Sequence, residues 1–205
     1  MSNEASSTQV KYYLPDDKPY GRSFGEWTVK WWQWAVTSPV ETNPVLDHNG
    51  KYAHVGQNGP VWFLAGTFAE NIMPTRKCIV PHGKAILFPI INYEINSDEE
   101  PTLRTDDEMV EHVVNDIDDI VKRIVIVNSI NIPSYRVQSI PKVFDLTISE
   151  NNPLGIAPGV KRVAADGYWS FLHPLPDGQH EIYFHGSCNG GIRISNAKYL
   201  ITVSK

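Results

Sequence analysis

Gly167-Tyr-Trp-Ser-Phe-Leu-His173 and His180-Glu-Ile-Tyr-Phe-His-Gly186 are two runs of alternating polarity, separated by Pro174-Leu-Pro-Asp-Gly-Gln179. Alternation with period two marks a strand, because successive side chains leave opposite faces. Trp169, Phe171 and His173 share one face of the first run; His180, Ile182 and Phe184 share one face of the second. Paired as a hairpin around Asp177-Gly178, the runs would bury a common face by setting Phe171 against Ile182 and Trp169 against Phe184. Such strands and turn spacing predict a mostly β (α+β) single domain, an antiparallel β-sandwich or jelly-roll-like fold.

Just beyond lies Gly186-Ser-Cys-Asn-Gly190, which has the G-x-C-x-G form of a nucleophile elbow. An elbow needs a helix directly after it, whereas Ile192-Arg-Ile-Ser and Tyr199-Leu-Ile-Thr-Val read as strand, and no histidine follows His185. The motif therefore reads as a glycine-rich loop between strands. Upstream, Phe144, Leu146 and Ile148 alternate with Asp145 and Thr147. Val61-Trp-Phe-Leu-Ala-Gly, Lys77-Cys-Ile-Val-Pro and Ala85-Ile-Leu-Phe-Pro-Ile-Ile-Asn92 have the length of buried strands. Proline in the last of these places it at an edge or a bulge.

Two peripheral helices are expected. Ser23 and Glu26 have capping-box spacing and open a helix over about 23–37, aromatic on more than half its circumference and stopped by Ser38-Pro39. Thr105 and Glu108 repeat the capping box for a helix over about 105–125. Val110, Val113, Val114, Ile117, Ile120, Val121 and Ile124 form its apolar stripe, and Lys122 and Arg123 fall near its C-terminal end. Residues 1–22 read as an N-terminal arm anchored by Tyr12, Tyr13 and Tyr20, and residues 23–205 as a single β-rich domain.

The net charge of −5 is uneven: ten acids and one arginine lie between Asp98 and Asp119. Nucleic acid is thereby disfavoured as a partner, because phosphate binding needs clustered Lys and Arg. No apolar stretch has the length of a membrane span. Met1 to Val10 carry neither the basic nor the apolar part of an export signal, so the sequence as it stands reads as cytoplasmic; a removed leader would make it secreted or place it in the cell envelope. Two cysteines, Cys78 and Cys188, are too few for a disulfide framework or a zinc cluster. No motif requires a cofactor.

Several constellations could carry chemistry. Asn92 and Glu94 fall on one face at the end of a strongly apolar strand, and Asp166 is a second candidate carboxylate. Trp32, Gln33 and Trp34 could line a groove for a small molecule or glycan, since an indole offers both area and a donor. His173 and His180 flank the predicted hairpin loop, and His82 lies in a Pro-His-Gly turn; as metal ligands they compete with the commoner reading of partly buried histidines. Glu108, His112 and Asp116 share a helical face, which is usually a solvated acidic surface.

The chain resembles a family of uncharacterised bacterial and archaeal proteins, many of which carry secretion signals. The resemblance rests on Trp27-x3-Trp-Trp-Gln-Trp34, Gly56-Gln-Asn-Gly-Pro-Val-Trp-Phe-Leu-Ala-Gly66, the Arg76–Asn92 run, Tyr135-Arg-Val-Gln-Ser139 and Ala165-Asp-Gly-Tyr-Trp169 with Pro174-Leu-x3-Gln-His180. It implies no activity and no catalytic residues. Similar sequences often carry a cysteine before the Gly-Gln motif that could pair with position 78; here Ala53 or a neighbour occupies that region, which puts a Cys78 disulfide in doubt.

The sequence thus leads to a ligand-binding protein with a groove between the Trp-rich helix and the sheet near Asn92 and Glu94. Its rivals are a hydrolase or lyase using Glu94 or Asp166, with or without a histidine-bound metal, and a structural envelope protein. Convergence of Gln33, Asn92, Glu94, His82 and His180 in one pocket would favour the enzyme; scatter would count against it.

Overall fold

The computed structural model describes residues 9–67, 72–188, 190 and 193–205. In chain order the regular elements are α1 (Phe24–Thr37), β1 (Val61–Phe63), β2 (Thr75–Pro81), β3 (Ala85–Asn96), α2 (Asp106–Asp118), β4 (Ile120–Val127), β5 (Ile130–Asn131), β6 (Tyr135–Arg136), β7 (Val143–Ile148), β8 (Gly159–Leu172), β9 (Gly178–Cys188) and β10 (Arg193–Ser204). They build two five-stranded sheets. One runs β1-β3-β8-β6 with β7 also on β8, and the other runs β2-β10-β9-β4-β5. The expected mostly β domain with two helices is present. The sheets are mixed rather than purely antiparallel, because β1 pairs β3 and β2 pairs β10 in parallel.

The long β3 and β8 are buried along most of their length, which a strand at the middle of a three-layer packing must be. One face of their sheet, through Leu87, Trp169 and Phe171, packs under α1. The other face, through Ile86, Phe88 and Ile90, meets Ile182, Phe184 and Ile201 of the second sheet. Beyond that contact the same face is covered by α2, whose Met109 and Val113 pack on Ile95 and Ala164. A bulge between Pro89 and Ile91 marks the proline in β3.

This layering corrects the hairpin expectation. β8 pairs β3, β6 and β7, whereas β9 pairs β10 and β4, so the 173–177 segment crosses from one sheet to the other. Trp169 and Phe171 therefore never meet Phe184 and Ile182. Trp169 packs edge-on to Trp31 at 5.4 Å, while Phe184 stacks on Phe88 at 4.9 Å. A strand buried on both faces has no single apolar face from which to read a partner.

The second helix is also shorter than the 105–125 expected. Its capping box forms, but it ends at Asp118, and Val121 and Ile124 with Lys122 and Arg123 belong to β4. Ahead of α1, Tyr12 bridges to Leu172 through the backbone, and the Tyr13 amide donates to the Phe171 carbonyl at 2.8 Å. No helix among the described residues is long and apolar enough to cross a membrane.

Candidate functional site

A cleft of about 760 Å³ opens where α1, the end of β3 and the start of β10 meet. Its apolar walls are Trp31 and Trp32 of α1, Ile91 of β3, Ile117 of α2 and Leu154 from the loop after β7. Its polar groups are Thr67, Asn92, Glu94, Glu99, Arg193 and Ser195.

The tryptophans are there because α1 is stapled to the segments beneath it. The capping box of Ser23 and Glu26 sets the helix start. The Trp31 indole then donates to the Leu64 carbonyl at 2.8 Å, Trp27 to Pro19 at 2.8 Å, and Trp34 to Val55 at 2.9 Å. Trp32 packs edge-on to Trp31 at 5.1 Å and is buried.

Asn92, Glu94 and Asn96 alternate along β3 and point to the α1 face, opposite Gly167, Ala165 and Val163 of β8. Gly167 has to be a glycine, since a Cβ there would lie 2.7 Å from Asn92 Cβ. Asn96 then shapes the site. Its Oδ1 accepts the Asp98 and Glu99 amides at 3.0 and 3.2 Å, folding the chain back after β3. That turn brings Glu99 over Glu94, and Asn96 Nδ2 donates to both carboxyl groups.

Glu94 is 4% exposed, whereas Glu99 faces solvent at the mouth. Burial, followed by the negative charge of Glu99, pushes the Glu94 carboxyl up to about 8. Burial raises the Glu99 carboxyl as well, and the two acids sit side by side around the Asn96 amide.

Arg193 does not neutralise this pair. Its guanidinium lies 3.1 Å from Asp116 of α2 and stacks on the Tyr93 ring at 4.1 Å, so its charge is already matched. Two further polar atoms on the cleft wall, Thr67 Oγ1 and Asn92 Nδ2, are buried with no hydrogen-bond partner among the described residues. Thr67 as a whole is only 5% exposed. Cys188 also reaches the cleft, with its thiol raised by burial.

The predicted residues divide cleanly. Trp32, Asn92 and Glu94 come together in the cleft. Gln33 does not: it points outward and accepts from Lys30 at 3.0 Å. Trp34 is core, against Phe63 at 5.6 Å. Asp166 is on the far face of the sheet, opposite Tyr93, where it accepts from Arg136 at 2.9 Å and from the Gly167 amide at 2.7 Å. It cannot work with Glu94.

The histidines scatter. His82 pairs with Asp177 at 2.5 Å, His173 stacks on Tyr13 at 3.8 Å, and His180 contacts Asn128 and the Pro176 carbonyl, each at 2.8 Å. His112 pairs with Asp116 at 3.6 Å. Among the described residues no group of three or more His, Cys, Asp or Glu could hold a metal ion. The Gly186-Ser-Cys motif ends β9, as a strand-loop reading requires; Asn189 and the neighbouring Gly191 and Ile192 lie outside the described residues. Cys78 and Cys188 are both free thiols.

Sequence reasoning missed Glu99, Thr67 and Arg193. Only Glu99 left a local signal, as an acid three residues after an asparagine that can cap a turn.

No family model and no curated protein matches the chain. Among solved structures, a chain in the structure of PbICP-C in complex with falcipain-2 aligns at 10% identity over 71% of this chain and all of that one, with a TM-score of 0.30. A superposition that loose carries no argument about function.

Proposed function

We propose that the chain is a small-molecule-binding β-sandwich protein, and that the cleft between α1, β3 and β10 is its site. One observation carries the reading: a buried, protonatable carboxyl and a buried unpartnered hydroxyl share a 760 Å³ cleft with aromatic walls. Ligand sites are built this way, mostly apolar with a few convergent polar groups.

A single small molecule suits the cleft better than a glycan chain. Sugar stacking needs an open indole face, and Trp31, Trp32 and Trp34 are 1%, 3% and 5% exposed. The hydrolase or lyase reading is weakened, since Asp166 is on the opposite face and the histidines do not converge.

Ligand-observed NMR with a fragment library tests the proposal, using Leu154→Trp to fill the cleft. Binders that the wild type retains and Leu154→Trp loses support it. A library in which every binder is indifferent to Leu154→Trp overturns it.

A further inference from the structure

We infer that the cleft selects an organic ammonium, a protonated amine on an apolar body, and seats it against the adjacent carboxyls of Glu94 and Glu99. The inference rests on the proposed binding role of the cleft and names the class of its ligand.

Charge in the cleft leads to this class. The other ionisable groups on the cleft wall are either paired or protonated; Tyr93 of β3 keeps its phenol proton, because burial raises it. From β10, Arg193 is held by Asp116 of α2 and by the Tyr93 ring of β3. Asp98, beside Glu99 in the turn, is paired with Lys161 of β8. Cys188 of β9 keeps its proton, because burial raises its thiol. What stays uncompensated is the pair itself, which holds one negative charge and one proton. A second negative charge there needs a cation beside it, since a buried carboxylate is tolerated only when paired.

An entering ammonium supplies that cation. It would sit against the carboxyls while its carbon skeleton meets Trp31, Trp32, Ile91 and Leu154. The acids are not the only sign of a ligand. Thr67 Oγ1, buried and unpartnered on the same wall, and Asn92 Nδ2 offer hydrogen bonds that nothing in the described chain accepts or supplies. An anion would have to displace the Glu94 proton's partner and face Glu99. A neutral alcohol would gain the hydrogen bonds but leave the proton in place.

The balance is simple. The Glu94 O–H bond breaks, the proton goes to solvent, and the ammonium N–H groups take its place between two carboxylates. Amine affinity must then rise with pH up to about 8, where the free site loses its own proton.

The test is calorimetry with matched probes: phenethyl, cyclohexylmethyl and indol-3-ylethyl skeletons, each as primary amine, alcohol and carboxylate. Amines should bind at least about tenfold tighter than the alcohols. Titration at pH 7 in two buffers of different ionisation enthalpy should show release of up to about one proton per amine. Glu94→Gln should abolish both the preference and the release. Glu99→Gln, at an exposed position, keeps the experiment decisive where Glu94→Gln folds poorly. Alcohols binding as tightly as amines, or amines binding without proton release, would overturn the inference and leave the binding role intact. Silence from all nine probes, with fragment binders indifferent to Leu154→Trp, would remove both.

Discussion

Glu94 and Arg76 are ionisable side chains buried at opposite ends of the same problem, and the chain solves it differently for each. Glu94 avoids its charge by keeping a proton. Its folded carboxyl titrates near 8 against an ordinary value of 4.5, so the stability it contributes is complete below about 4.5. That stability is lost as pH rises towards 8. The difference in urea-unfolding free energy between wild type and Glu94→Gln isolates it from other groups. Wild type should lose on the order of 2–4 kcal/mol relative to the variant between pH 5 and 9; a constant difference would show that Glu94 is ionised throughout. Arg76, 1% exposed, cannot give up its charge. It is instead surrounded by carbonyls: Val45 at 2.8 Å, Gly66 at 3.3 Å, Asp47 and Ala65, with the Tyr199 hydroxyl at 2.8 Å. It ties the 45–47 loop and the segment leading to Thr67 onto β2 and β10. Arg76→Met leaves those carbonyls unsatisfied and should cost about 3–5 kcal/mol, read from the same denaturation curves.

Among the elements, α1 holds the site and α2 shows where sequence patterns mislead. Trp31 has a core edge against Trp169 and a cleft edge beside Trp32. Trp31→Phe keeps most of the packing but leaves the Leu64 carbonyl without its donor, at a cost of about 1–3 kcal/mol. Trp31→Ala should cost about 3–5 kcal/mol. Both are measurable as urea midpoints, and a Trp31→Phe midpoint equal to that of wild type would mean that the indole N–H contributes nothing. The helix starts were legible because both capping boxes are local signals. The end of α2 was not. Val113, Ile117, Val121 and Ile124 fit a helical stripe, but β4 also buries Val125 and Val127 with period two. A β-branched run supports either pattern, and pairing with β9 decides between them. The acidic surplus of α2 likewise makes sense only in three dimensions. Asp106 meets Arg162, Asp116 meets Arg193 and Asp118 meets Arg136, so the acids of this helix fasten it to β8, β10 and β6.

At the scale of the whole molecule, the cleft exists because two sheets and two helices end at one place. Asn92 and Glu94 could be read from strand alternation, and Trp32 from its cluster, because those relations are local. Thr67 arrives from the segment after β1 and Arg193 from β10, and no spacing in the sequence connects them. The hairpin misled for the same reason: Trp169 and Phe184 are each buried, but in different layers. What holds the layers at their distance is visible at Gly186, where β9 passes β3. A Cβ there would lie 2.5 Å from the Ile90 carbonyl oxygen and 2.8 Å from Ile91 Cβ. Backbone cannot move aside as a flexible side chain can, so Gly186→Ala must push the sheets apart or bend β3 at its bulge. The expected cost is at least about 2 kcal/mol. Gly83→Ala is the control: φ is +81° and a Cβ would meet nothing within 4 Å, so only backbone strain of about 1 kcal/mol is added. Because Ile91 and Cys188 line the cleft on either side of this contact, Gly186→Ala should also weaken fragment binding, whereas Gly83→Ala should not. Equal destabilisation by the two variants, with binding unchanged in both, would mean that the spacing of the sheets is set elsewhere.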